Sequence, residues 1–379
     1  MGKKKENKSK NNILLPIVFA IIGAVCGFLG GKAIGERLED GVNLWTVIYS
    51  IVLIYIVILV HIIVHEAGHL FFGKISGYGY VSFRIGKFMF ISDGRGVKLK
   101  KYTVVGTMGQ CLMMPPESDE YNYPYILYNL GGSLANIILA LLSLFLYKIL
   151  PEIQHLSSIL INLFIIGTIF ALINGIPLNI GGIANDGYNI VCLIKDRESR
   201  RAVWLQLYIN GLITRGTRLR DMPEDWFQLP GNGDLSNPLI CTIGVLKNNY
   251  LCDKKQFDDA KQMAEFLLQN APGMLEVHKN ELLCDLLFYE IMGPCRREEI
   301  DKIYTKQLKK YIKATSSYLA RRRLLYAYEL LVKKDKEQAQ RQLREFEKAT
   351  RTYPYTAEIE GERELIDMVN KKAELNFNT

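Results

Sequence analysis

Between residues 12 and 190 the chain carries four apolar runs, and nothing else limits its fold as strongly. Ile13 to Gly30, Leu44 to Phe72, Tyr125 to Tyr147 and Leu156 to about Pro177 are nearly free of charge. Each approaches or exceeds the roughly 20 residues that a helix needs to cross a bilayer. In hydrocarbon every backbone N–H and C=O must be paired within the protein, so such runs fold as helices. From Lys195 onward the sequence is polar and charged, and the mean hydropathy of +0.06 is therefore the sum of two opposite halves. A single soluble domain is excluded.

Charge orients the spans. The chain has 47 basic and 39 acidic residues, a net +8, and half of that excess lies in the first ten residues, where five lysines meet only Glu6. A basic cluster directly before an apolar run reads as a cytoplasmic flank held near anionic lipid, and nucleic acid is not the expected partner. A poor cleavage context after the first run favours an uncleaved span over a signal peptide. With the N-terminus inside, the 73–124 segment and the whole C-terminal half are inside too. The loops agree, because Lys74, Arg84, Lys87, Arg95, Lys98, Lys100 and Lys101 fall inside while Lys32, Arg37 and Lys148 fall outside. The expected location is a cell membrane, multi-pass, with both termini cytosolic. Seven scattered cysteines without a CxxC pair argue against a disulfide framework or a thiolate metal site.

The expected fold is mainly α. It comprises a basic N-terminus with a first anchor (1–43), a membrane core (44–195), a connector (196–250) and a cytosolic all-α domain (251–379). Within the core, Tyr80 to Ile91 and Val97 to Val105 flank the turn signal Ser92-Asp93-Gly94-Arg95-Gly96, which predicts a β-hairpin. Phe83, Phe88, Met89 and Phe90 are apolar enough for it to dip into the interface. Helical periodicity covers 257–269, 274–292, 298–312, 316–334, 336–353 and 356–375, suggesting paired helices of the tetratricopeptide sort, although no fixed repeat period is visible. Residues 221–249, rich in proline and glycine, read as irregular. Lys195, Arg197, Arg200 and Arg201 are expected on lipid headgroups, and Arg321-Arg322-Arg323 on a solvated face.

The second span ends His61-Ile-Ile-Val-His65-Glu66-Ala-Gly-His69. On a helix, His65 and His69 stand one turn apart on one face, suited to hold one zinc ion, with Glu66 beside them to take a proton from metal-bound water. Ionisable groups inside a membrane helix are costly and point to function. His61, one turn deeper, suits an outer-shell or path-lining role better than a ligand. The third ligand must come from the same side. The fourth span ends Asn174-Gly-Ile-Pro177-Leu-Asn179-Ile-Gly181-Gly182-Ile-Ala-Asn185-Asp186-Gly187, which cannot stay helical past Pro177, and Asp186 is its only acid. Asp186 can complete a His2Asp site, or merely cap a helix or form an Asp-Gly turn.

Together, HExxH ending one span, a greasy hairpin after it, Gly131-Gly132-Ser133-Leu134-Ala135-Asn136 opening the next span, and Asn174-x-x-Pro177 leading to Asp186-Gly187 resemble the site-2 protease family of intramembrane zinc metallopeptidases. The similarity spans about residues 45 to 195. It implies Zn2+ held by His65, His69 and Asp186, Glu66 as catalytic base, and Asn136 and Asn174 as substrate contacts. The implied substrate is a transmembrane or membrane-associated peptide. The chain departs from the pattern in the nine positions from Pro177 to Asp186, which enlarge the ligand loop, and in lacking a PDZ-like segment.

Two other classes compete with an enzyme. A non-proteolytic scaffold would keep the metal site and act through a protein partner on its cytosolic helices, but binding metal does not require Glu66. A metal transporter built on His61, His65 and His69 would need facing carboxylates or histidines on other spans, which are missing from the sequence.

Overall fold

A computed structural model describes residues 44–378 apart from 105, 118, 152, 181–182 and 232. The first apolar run, the basic N-terminus and Cys26 lie outside the described residues. The order is α1 (Leu44–Ile75), β1 (Gly79–Ile85), β2 (Phe88–Ser92), β3 (Val97–Lys101), β4 (Gly109–Met114), α2 (Tyr125–Ile149), α3 (Gln154–Gly175), β5 (Asn179–Ile180), β6 (Ile183–Ala184), α4 (Asp186–Lys195) and α5 (Arg197–Thr214). After two short 3-10 turns come α6 (Pro238–Asp253), α7 (Phe257–Asn270), α8 (Glu276–Met292), α9 (Arg297–Ile303), α10 (Lys306–Ala314), α11 (Leu319–Ala327), α12 (Lys336–Thr350) and α13 (Thr356–Asn378). The chain is thus mainly helical with a small antiparallel sheet. Three described helices, α1, α2 and α3, are long and apolar enough to cross a membrane.

The chain divides into two compact units. One holds the described residues up to Gly68 with Gly132–Ile176, and the other holds His69–Gly131 with Pro177–Thr379. The membrane core expected over 44–195 is divided between them, and α1 and α2 run unbroken from one into the other.

The first unit is built from the apolar helices. On α1 the buried residues Leu53, Val57 and His61 recur every fourth position, while Trp45, Ile51, Val52, Tyr55 and Ile56 face outward. The stripe continues to His65 and His69, so the histidines sit on the one face of α1 that packs against protein. On α2 the buried stripe Ser133, Asn136, Ala140 and Ser143 is small or polar, which lets helices approach closely without water. Helix α3 stops at Gly175, and Pro177 two residues later cannot continue it.

In the second unit the expected single hairpin is a four-stranded antiparallel sheet of order β3-β2-β1-β4. The run from Tyr80 to Ile91 is broken at Gly86, whose φ of +56° suits a tight turn, so it forms two paired strands with Phe83 opposite Phe90. The fourth strand, Gly109–Met114, carries no alternation strong enough to announce itself. It is tied to α5, where a Cβ on Gly211 would come within 2.8 Å of Met114 Sδ.

The rest of this unit is one helical core, and it revises several expectations. Residues 221–249 are not irregular throughout, because Asn237 caps α6 by accepting from Leu239 N and Pro238 occupies its first turn. The periodic stretch 298–312 is two helices, α9 and α10, separated by Thr305, whose hydroxyl caps the second. Arg201 is buried, donating to Glu120 at 2.8 Å and to the Asp225 carbonyl at 2.9 Å. Arg200 donates to the Tyr121 carbonyl and Arg197 stacks on the Tyr121 ring, so these arginines fasten the 117–125 segment to α5. Arg321 and Arg323 are buried too, paired with Glu281 and Glu362, and Arg323 lies 3.8 Å from the Phe288 ring centre. Tetratricopeptide repeats are not established by this packing. A cavity of about 370 Å³ in the same unit is lined by Tyr102, Tyr353, Asp285 and Glu358 among others. Burial pushes both the Asp285 and the Glu358 carboxyl up to about 7.

Candidate metal centre

His69 is the best-anchored member of the centre. It is buried, and its Nδ1 donates to the Tyr128 carbonyl at 2.7 Å, which fixes the ring and turns Nε2 toward Asp186. Tyr128 is itself held by stacking on Tyr78 and by its hydroxyl donating to the Cys111 carbonyl at 3.1 Å. Sequence reasoning missed Tyr128, since a backbone acceptor leaves no trace in residue type.

Asp186 reaches this place through a closed loop. Asn185 N donates to the Leu178 carbonyl at 3.1 Å, and Asn185 Oδ1 accepts from Leu178 N at 3.0 Å and from Tyr188 N at 2.8 Å. The two-rung ladder of β5 and β6 stands on that neck. The chain therefore closes on itself between Leu178 and Asn185, one residue after Pro177 and one before Asp186. Asn185, not Asp186, is the N-cap of α4.

His69 Nε2 and Asp186 Oδ2 are 3.4 Å apart. That is long for a charge-assisted hydrogen bond, which closes to about 2.7–2.9 Å. It equals the edge of a tetrahedron with metal bonds near 2.0–2.1 Å, about 3.4 Å. His65, His69 and Asp186 are a group that could hold a metal ion, His65 standing one turn before His69 on α1. Two imidazoles and one carboxylate are a donor set that suits Zn2+ with a fourth position for water. Glu66, half-buried, follows His65 directly on α1.

The deeper polar residues form a layer behind His65. A Cβ added to Gly132 would stand 2.4 Å from His65 Cε1, and one on Gly167 would stand 2.4 Å from His61 Cε1. These glycines are slots that the two rings fill. His61 is fully buried, with Nε2 2.9 Å from the Leu163 carbonyl and Nδ1 3.0 Å from Asn136 Oδ1. Asn136, also fully buried, lies 3.4 Å through Nδ2 from His65 Nδ1. Both ends of the Asn136 amide thus face histidines. Asn174 is half-buried and donates to the Phe170 carbonyl of its own helix at 2.9 Å.

In comparisons with known proteins, no family model matches the chain, and no curated protein or solved structure matches it either.

Proposed function

We propose that the chain is an intramembrane zinc metalloprotease, cutting a peptide bond within or next to the bilayer, as its resemblance to site-2 proteases implies. The observation that carries this reading is the 3.4 Å approach of His69 Nε2 to Asp186 Oδ2 beside the HExxH glutamate, on a helix fit to span a membrane. A metal store or a structural site needs no acid next to its ligands. A hydrolase needs one.

Bound zinc would polarise the scissile carbonyl and bring the pKa of a water molecule near neutrality. The chain's own residues do the rest. His65, His69 and Asp186 hold the ion, and Glu66 takes the water proton and returns it to the leaving nitrogen. A helical substrate must first unwind. The edge strand β3, which pairs only with β2 among the described residues, offers backbone groups to an extended segment, and Asn174 is a candidate contact for it. The loop charges favour a cytosolic site, with both termini and the helical domain in the same compartment, where that domain would receive a protein partner and the membrane lipids border the spans.

The test is a Glu66→Gln variant. Zinc content measured on purified full-length protein should stay at the wild-type level, while a membrane protein or peptide should accumulate in cells that carry only the variant. Unchanged membrane proteomes, with a phenotype arising instead from loss of the helical domain, would favour the scaffold. Proteolysis retained by purified Glu66→Gln protein refutes the mechanism.

A further inference from the structure

We infer that His61 and Asn136 are positioning residues that set the tautomer of His65, fixing its proton on Nδ1 so that Nε2 is the atom offered to a metal. This deepens the metalloprotease reading and names a purpose for the polar layer behind His65.

The argument is one of proton counting. Both nitrogens of His61 face oxygens, the Leu163 carbonyl at 2.9 Å and Asn136 Oδ1 at 3.0 Å. A neutral imidazole carries one N–H and can satisfy one of them. Satisfying both requires an imidazolium at 0% exposure in an apolar helix, facing only a carbonyl and an amide. The Leu163 carbonyl belongs to the backbone of α3 and cannot change its nature. It is open to the ring because Gly167, one turn on, has no side chain to cover it. The Asn136 amide can exchange its two ends by half a turn about Cβ–Cγ, with the same atoms in the same places.

After that turn every group has one role. His61 Nε2–H donates to the Leu163 carbonyl, and Asn136 Nδ2–H donates to His61 Nδ1. Asn136 Oδ1 then accepts from His65 Nδ1–H, and His65 turns the lone pair of Nε2 away from the relay. The opposite orientation has Asn136 donate to His65 Nδ1, which puts the His65 proton on Nε2 and closes that atom to a metal. Helix α3 thus dictates a tautomer on α1 through a residue of α2. The result repeats what the Tyr128 carbonyl does for His69.

The test uses full-length protein labelled with 15N-histidine, in detergent micelles at about pH 8, where histidine is ordinarily neutral. The five histidines can be assigned by single substitutions. In metal-free protein His61 should appear as the Nε2–H tautomer and His65 as Nδ1–H. A His65 Nε2–H tautomer or a protonated His61 overturns the proposal. In zinc competition against a chelator, Asn136→Leu should weaken binding about 10–100-fold and mix the His65 tautomers, the usual consequence of losing an outer-shell partner. Asn136→Asp, which keeps an acceptor for His65 Nδ1–H, should restore both. Wild-type affinity and an unchanged His65 tautomer in Asn136→Leu would also overturn it. If wild-type protein shows the expected tautomers but binds no zinc, the metalloprotease reading fails and the tautomer assignment stands.

Discussion

A methyl group on Gly132 tests whether His65 is a metal ligand without replacing any ligand. The added Cβ would meet Cε1, Nδ1 and Nε2 of the His65 ring at 2.4, 2.5 and 2.6 Å. Ordinary contact begins at 3.4 Å, so the ring must retreat by 3.4 − 2.4 = 1.0 Å, or α2 must move. Metal sites tolerate ligand errors of about 0.2 Å. A displacement several times larger should remove His65 from the coordination sphere and cost at least the roughly 10–100-fold that loss of an outer-shell partner brings. The assay is chelator competition with zinc on purified Gly132→Ala protein, with thermal unfolding to follow fold stability. Gly175→Ala is the matched control, since its Cβ would meet Ser133 at an ordinary 3.4 Å and should leave affinity unchanged. Stoichiometric zinc at wild-type affinity in Gly132→Ala would refute the placement of His65 at the centre.

Two further outcomes follow from other parts of the molecule. Asn185→Ala removes the acceptor for Leu178 N and Tyr188 N, opening the loop neck at a cost of about 1 kcal/mol for the cap alone. Zinc affinity should fall while Asn185→Asp retains it, and equal affinities would refute the neck's role. In the helical unit, Glu358 is raised by burial from 4.5 to about 7, so the folded state holds its proton more tightly than the unfolded chain. Its contribution favours folding below pH 4.5, declines as pH rises from 4.5 to about 7, and is flat above. Glu358→Gln, which can still accept from Tyr353, should raise stability by about 3 kcal/mol at pH 8 and by almost nothing at pH 4, read by thermal unfolding. A gain equal at both pH values would refute the assignment.

Much of the centre is legible in the sequence because its members announce themselves by residue type and by helical spacing. His65, Glu66 and His69 need only one turn of helix to converge, and Asp186 is the sole acid between Pro177 and Lys195. The spans are legible for a related reason, since hydrocarbon leaves a polypeptide few options. What stays hidden is whatever depends on the absence of a side chain or on a backbone atom. The slots at Gly132 and Gly167 and the Tyr128 carbonyl have no pattern of their own. The sheet was underestimated because β4 has neither alternation nor β-branched residues. The arginines at 321 and 323 deceive for the opposite reason: a charge run usually faces water, and only the tertiary fold brings Glu281 and Glu362 to neutralise it.

The neck formed by Leu178 and Asn185 has a consequence for how such chains are compared. Since the two residues are bonded to each other twice, the place of the acid after Asn185 is set by that neck rather than by the number of residues it closes. Distance along the chain from the proline to the aspartate is then a freely varying quantity. A comparison that demands a fixed gap there would miss chains that share the neck. Anchoring an alignment on Asn185-Asp186 and letting the gap float would bring them into register.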